Sequence, residues 1–145
     1  MTKIAELLKK PSRFVLAVLA VSLVFDLSGM VFGLFYEGIL YDNLAHFLTS
    51  FALVALAAEL AQHRGVLPLL VPGGRALAAG AAVGLVGGGA WEVLEVIADL
   101  LFPVLIYNPP WDTVTDMAFG SLGGAVGAWR TTAYLNRKPG RGPSR

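Results

Sequence analysis

Three short stretches of this 145-residue chain carry residue types able to hold a cation or move a proton. Asp42 and His46 stand four residues apart, Asp112 and Asp116 repeat that spacing, and Glu92, Glu95 and Asp99 follow at steps of three and four. On a helix, side chains three or four residues apart share a face, so each stretch would present its ionisable groups together. One imidazole among several carboxylates suits Mn, Fe, Zn or Mg better than a soft ion such as Cu(I). The candidate metal ligands are therefore Asp42, His46, Glu92, Glu95, Asp112 and Asp116. Glu92, Glu95 and Asp116 are also the candidate catalytic carboxylates, able to support an activated water or take its proton. Asp26, Asp99, Trp91 and Trp111 are candidates for supporting positions around them.

The elements that must position these groups are membrane helices. Apolar residues make up 56% of the chain and charged residues 14%, against about 25% charged in soluble domains; mean hydropathy is +0.67. Four apolar stretches, about 14–35, 42–62, 76–102 and 112–135, each reach the roughly 20 residues needed to cross a bilayer. The expected fold is all-α: one integral membrane bundle of four transmembrane helices over residues 1–135, followed by a basic, disordered tail at 136–145. The basic start before Phe14 resembles a signal-peptide n-region, but the apolar run continues past Asp26 to Phe35, as in an uncleaved spanning helix. A net charge of +1 on an apolar surface excludes nucleic acid as a partner, and the absence of Cys excludes thiolate chemistry.

Charge fixes the expected orientation. Every Lys and Arg lies before the first span, between the second and third, or at the end of the chain from Arg130 onward, which places both termini in the cytoplasm. Of the acidic residues only Glu6 and Glu59 share that side, so Glu59 serves as a control outside the cluster. Asp26, Glu37, Asp42, Glu92, Glu95, Asp99, Asp112 and Asp116 belong to the outer half.

The third span reads Gly80, Gly84, Gly88, Glu92, Glu95, Asp99, one stripe that changes from glycine to carboxylate going outward. In the fourth, Asp112 and Asp116 lead into Gly120, Gly123, Gly124 and Gly127. Small residues let membrane helices approach backbone to backbone, so the bundle should be tight at its cytoplasmic half and open outward around a carboxylate-lined cavity. Plainer roles exist for single residues: helix capping for Asp42 and Asp112, solvation for Glu37 and Asp99, and an interfacial belt for Tyr36, Tyr41, Tyr107, Trp91 and Trp111. They fail for the group. His46, Glu92, Glu95 and Asp116 fall inside apolar spans with no Lys or Arg on that side, where an ionisable group costs several kcal/mol unless paired, neutralised or wet. Either several carboxyls carry protons or a cation is bound, a divalent one being the simplest. The Glu-x-x-His spacing of di-metal four-helix bundles is absent.

Tyr41-Asp-Asn-Leu-Ala-His46-Phe, Trp91-Glu-Val-Leu-Glu95 and Pro110-Trp-Asp-Thr-Val-Thr-Asp116-Met resemble the YjdF-type inner-membrane proteins and, more distantly, the VanZ-like proteins associated with glycopeptide resistance. Glu95 stands where the VanZ-like pattern has Gln, and Gly120 where it has Asn, which favours the YjdF-type assignment and weakens transfer of a resistance role. The resemblance implies the fold, the site positions and a multi-pass location in a prokaryotic inner (cytoplasmic) membrane, but no reaction. The lipid bilayer is the implied surrounding. Three functions fit: a metal-dependent hydrolase or transferase acting on a lipid or lipid-linked substrate; a cation or proton-coupled transporter working as a homo-oligomer, with Asp26 as a deeper relay; and a non-catalytic accessory protein with a hydrogen-bonded polar core.

Overall fold

A computed structural model describes residues 10–63, 73–101 and 110–137. Four helices run up and down: α1 (Arg13–Phe32), α2 (Ile39–His63), α3 (Gly74–Leu101) and α4 (Pro110–Asn136), with a single 3-10 turn at Leu34–Tyr36. No strand occurs among the described residues. Most of the expected connections at Arg64–Arg75 and Pro103–Trp111, and the tail beyond Arg137, lie outside them.

The first span is shorter than its apolar run. Gly33 takes a left-handed conformation (φ 69°) and its N–H closes on the Gly29 carbonyl, a helix stop that only glycine adopts without penalty. The next helix starts at Ile39, so Asp42 sits in its first turn, and α4 starts at Pro110, with Asp112 likewise in the first turn. Neither occupies the capping position expected for it.

What is buried is small or polar and what is exposed is large and apolar. Along α3 the buried residues are Ala76, Gly80, Gly84, Gly88 and Glu92, one face at four-residue steps, while Val86, Val93, Leu94, Val96, Leu100 and Leu101 point outward. A chain in water would reverse this arrangement; in lipid the large side chains need no cover and the interior is reserved for close packing and polar groups. α1, α2 and α3 are long and apolar enough to cross a membrane. α4 departs from the expectation of four apolar spans. It is as long as they are but less apolar, and it lies between α2 and α3; its Asp116, Thr131 and Thr132 are fully buried.

Glycine sets how close α4 comes. A Cβ on Gly80 or Gly84 would run into the carbonyl oxygens of Gly124 and Gly120, and one on Gly123 or Gly127 into those of Phe47 and Phe51. One turn further out the fit relaxes, for a Cβ on Gly88 would meet Met117 Cα at an ordinary 3.6 Å. The expected gradient, tight at one end and looser at the carboxylate end, is thus present between α3 and α4.

At the tight end a carboxylate reading needs correction. Glu59 is 2% exposed and holds the start of α1: its oxygens accept from the Ser12 N–H at 3.0 and 3.1 Å and from Ser12 Oγ at 2.8 Å, with His63 Nε2 at 3.2 Å. Ser12 in turn caps α1 through Val15 N–H. Glu59 is therefore a structural clamp, unsuited as a neutral control; the exposed Glu37 serves instead. At the opposite end Tyr41, expected in an interfacial belt, is half-buried: its hydroxyl donates to the Phe25 carbonyl at 2.6 Å and its ring stacks on Phe25 at 4.3 Å, fastening α2 to α1.

Two outcomes follow for the purified protein in detergent. Gly84→Ala should lower the melting temperature by the equivalent of about 1–3 kcal/mol, the usual cost of overpacking, and Gly88→Ala should leave it nearly unchanged; equal effects would contradict the gradient. Glu59→Ala should destabilise by about 1–3 kcal/mol by leaving the Ser12 donors unmet, whereas Glu37→Gln should be neutral in the same melt.

Candidate metal centre

The loose end of the bundle gathers the first turns of α2 and α4 and the last turns of α3. His46, about two turns into α2, has its Nε2 at 3.6 Å from Asp42 Oδ1 and 3.9 Å from Asp116 Oδ1 of α4. One ligand atom from each of the three lies within 4.8 Å of the others. The two His46 separations are too long for hydrogen bonds. They fall in the roughly 3.0–4.2 Å that separates donors held about 2.1 Å from a shared ion.

Asp116 is the most unusual of the three. It is 0% exposed, and neither of its oxygens has a hydrogen-bond partner. Such a group costs several kcal/mol in a dry interior unless something positive or a donor meets it. The protein offers the reverse: Asp42, Asp112, Glu92 and Glu95 are all close enough to repel a charge on Asp116, and the chain has no Lys or Arg at this end.

The other expected residues divide. Glu92 is 8% exposed and faces α4, where Thr113 Oγ1 donates to its Oε2 at 2.7 Å; its Oε1 is buried without a partner. Glu95 lies on the exposed flank of α3, where Trp91 Nε1 donates to it at 2.6 Å. Asp112 and Asp99 are half-buried, and among the described residues neither joins the three-residue group with closely spaced ligand atoms. Trp91 supports Glu95 rather than the group, and Trp111 is 71% exposed, facing away from the packed interior. Asp26 is engaged elsewhere, between α1 and α2, where Thr49 and Ser22 donate to its Oδ2 at 2.9 and 3.3 Å.

Two participants escaped the sequence reading. Thr113 fixes one oxygen of Glu92 across a helix interface, and spacing carries no signal for a partner on another helix. Asn43 is 6% exposed with Oδ1 unpartnered; its place between Asp42 and His46, three residues before the imidazole, was the available cue.

No curated protein and no solved structure matches the chain. A family model described as "Predicted membrane protein (DUF2238)" matches residues 5–137, which is consistent with the YjdF-type resemblance; a VanZ-like relationship is not shown. With most of its length matched and three helices apolar enough to span a bilayer, the chain belongs to the DUF2238 family of predicted membrane proteins.

Proposed function

We propose that this membrane protein holds a divalent cation at the outward end of a four-span bundle, between Asp42, His46 and Asp116, and uses it to hydrolyse a lipid or lipid-linked substrate. The observation that carries the reading is Asp116: a fully buried carboxylate with two unpartnered oxygens, facing an imidazole and further carboxylates with no basic residue at that end. A bound cation removes the cost of burying that charge. Mn, Fe, Zn and Mg all suit an imidazole–carboxylate set. Such an ion would lower the pKa of a bound water and so supply a nucleophile near neutral pH, with Glu92 or Glu95 of α3 to take its proton. A substrate dissolved in the bilayer would reach the centre between α3 and α4, where packing loosens around Gly88.

The reading includes four spans with both termini on the cytoplasmic side, supported by the gathering of Lys10, Arg13, Arg75, Arg130 and Arg137 at the end opposite the carboxylates. A prokaryotic cytoplasmic membrane is the location this orientation suits. One observation favours transport by an oligomer as a second reading. Asp26, with Ser22 and Thr49, forms a polar cluster beyond His46 along α2, a placement suited to a relay. Manganese flux into proteoliposomes that is lost in Asp26→Asn would favour transport; hydrolysis without flux would favour the enzyme.

Metal analysis of the purified protein tests the centre directly. Wild type should retain a divalent ion, and Asp116→Asn should lose it. Excess EDTA should lower the wild-type melting temperature by several degrees, since an ion at 100 times its Kd stabilises by about 2.7 kcal/mol, and should leave Asp116→Asn unmoved. No metal in the wild type together with an unchanged melt in EDTA would overturn the proposal and favour the accessory role. Orientation is checked on the Cys-free background with single cysteines: Glu37→Cys should react with an impermeant thiol reagent on intact cells and Gly140→Cys should not.

A further inference from the structure

Resting on that reading, we infer that the centre is dinuclear: Asp116 bridges two divalent cations, one shared with Asp42 and His46 and the other with Glu92. Both Asp116 oxygens are buried and unmet. Oδ1 is the atom nearest His46, at 3.9 Å, and Oδ2 is equally buried and equally without a hydrogen-bond partner. One ion beside Asp42 and His46 accounts for Oδ1 and leaves Oδ2 orphaned. A second orphan stands on α3: Glu92 faces α4 with Oε1 buried and unmet and Oε2 taken by Thr113, which precedes Asp116 by three residues on α4 and so shares its face. An ion between Oδ2 and Oε1 satisfies both at once. Two-metal sites hold their ions about 3.5–4 Å apart, a separation that a carboxylate using one oxygen for each ion can span.

The Thr113 hydroxyl has a defined part here: it occupies Oε2 and so presents Oε1 alone to the second ion.

The experiment loads the purified full-length protein with Mn(II), removes free ion by desalting, and measures bound manganese per chain together with the electron paramagnetic resonance spectrum. The expected result is two Mn per chain with an exchange-coupled spectrum. Glu92→Gln should fall to one Mn with an isolated six-line signal, Thr113→Val should weaken the second ion by about tenfold or more, and Asp116→Asn should retain neither. Wild type saturating at one Mn overturns the inference and leaves the cation centre standing, and so do two uncoupled ions. Wild type that binds no Mn, Fe, Zn or Mg removes the centre itself. The wild-type stoichiometry and spectrum decide the matter even if a variant fails to fold.

Discussion

Everything at the carboxylate end depends on how closely the backbone of α4 approaches α2 and α3. That approach exists because Gly80 and Gly84 meet Gly124 and Gly120, and Gly123 and Gly127 meet the carbonyls of Phe47 and Phe51, with no room for a Cβ at any of these contacts. In a bilayer, apolar side chains gain little by leaving lipid for protein, so association rests on close packing and polar contact. The glycine contacts therefore fix the position of α4, and with it the depth at which Asp116 is enclosed.

Enclosure turns the carboxylate that α4 carries into an electrostatic liability that must be resolved. Asp116 lies one turn before Gly120 on the face that α2 and α3 cover, so tight packing at Gly120 carries the carboxylate into the interior with it. His46 enters from α2 on the same level and Glu92 from α3, each on the face that its own helix buries or half-buries. The result is a concentration of negative groups in a place with few donors. Thr113 meets one oxygen of Glu92, but nothing comparable meets Asp116. Packing that stabilises the lower bundle thus creates the electrostatic demand that a cation would satisfy.

α1 packs mainly on α2, to which it is tied at three levels, and its Phe14 also stacks on Tyr134 of α4. Glu59 holds its start through Ser12, Thr49 and Ser22 meet Asp26 midway, and Tyr41 closes on Phe25 near its end. Each of these ties includes a hydrogen bond, the Tyr41 one beside a ring stack on Phe25, and two of them use carboxylates that would otherwise suggest catalytic or surface roles. Buried charge in this protein is of two kinds. Glu59 and Asp26 are met by donors, while Asp116 is not.

Helix number, helical class and the separation of basic from acidic ends were legible in the sequence, because span length, glycine and carboxylate stripes and Lys/Arg placement are properties of consecutive residues. The convergence of Asp42 with His46 was equally local, being one turn of one helix. The lower hydropathy of α4 and its central place were not read from its length and apolar run, since shielding by neighbours relieves a helix of the need to be strongly apolar itself. Nor could spacing separate Glu92, turned into the bundle, from Glu95, three residues on and paired with an exposed indole; both belong to one broad stripe, and only the direction of α4 decides which is enclosed. Glu59 shows the same limit: its charge placed it at the basic end, but the donor that defines its role lies 47 residues away on another helix. Residue type and periodicity determined which groups can share a face, and the rotation and closeness of the packed helices decided which of them are buried without a partner.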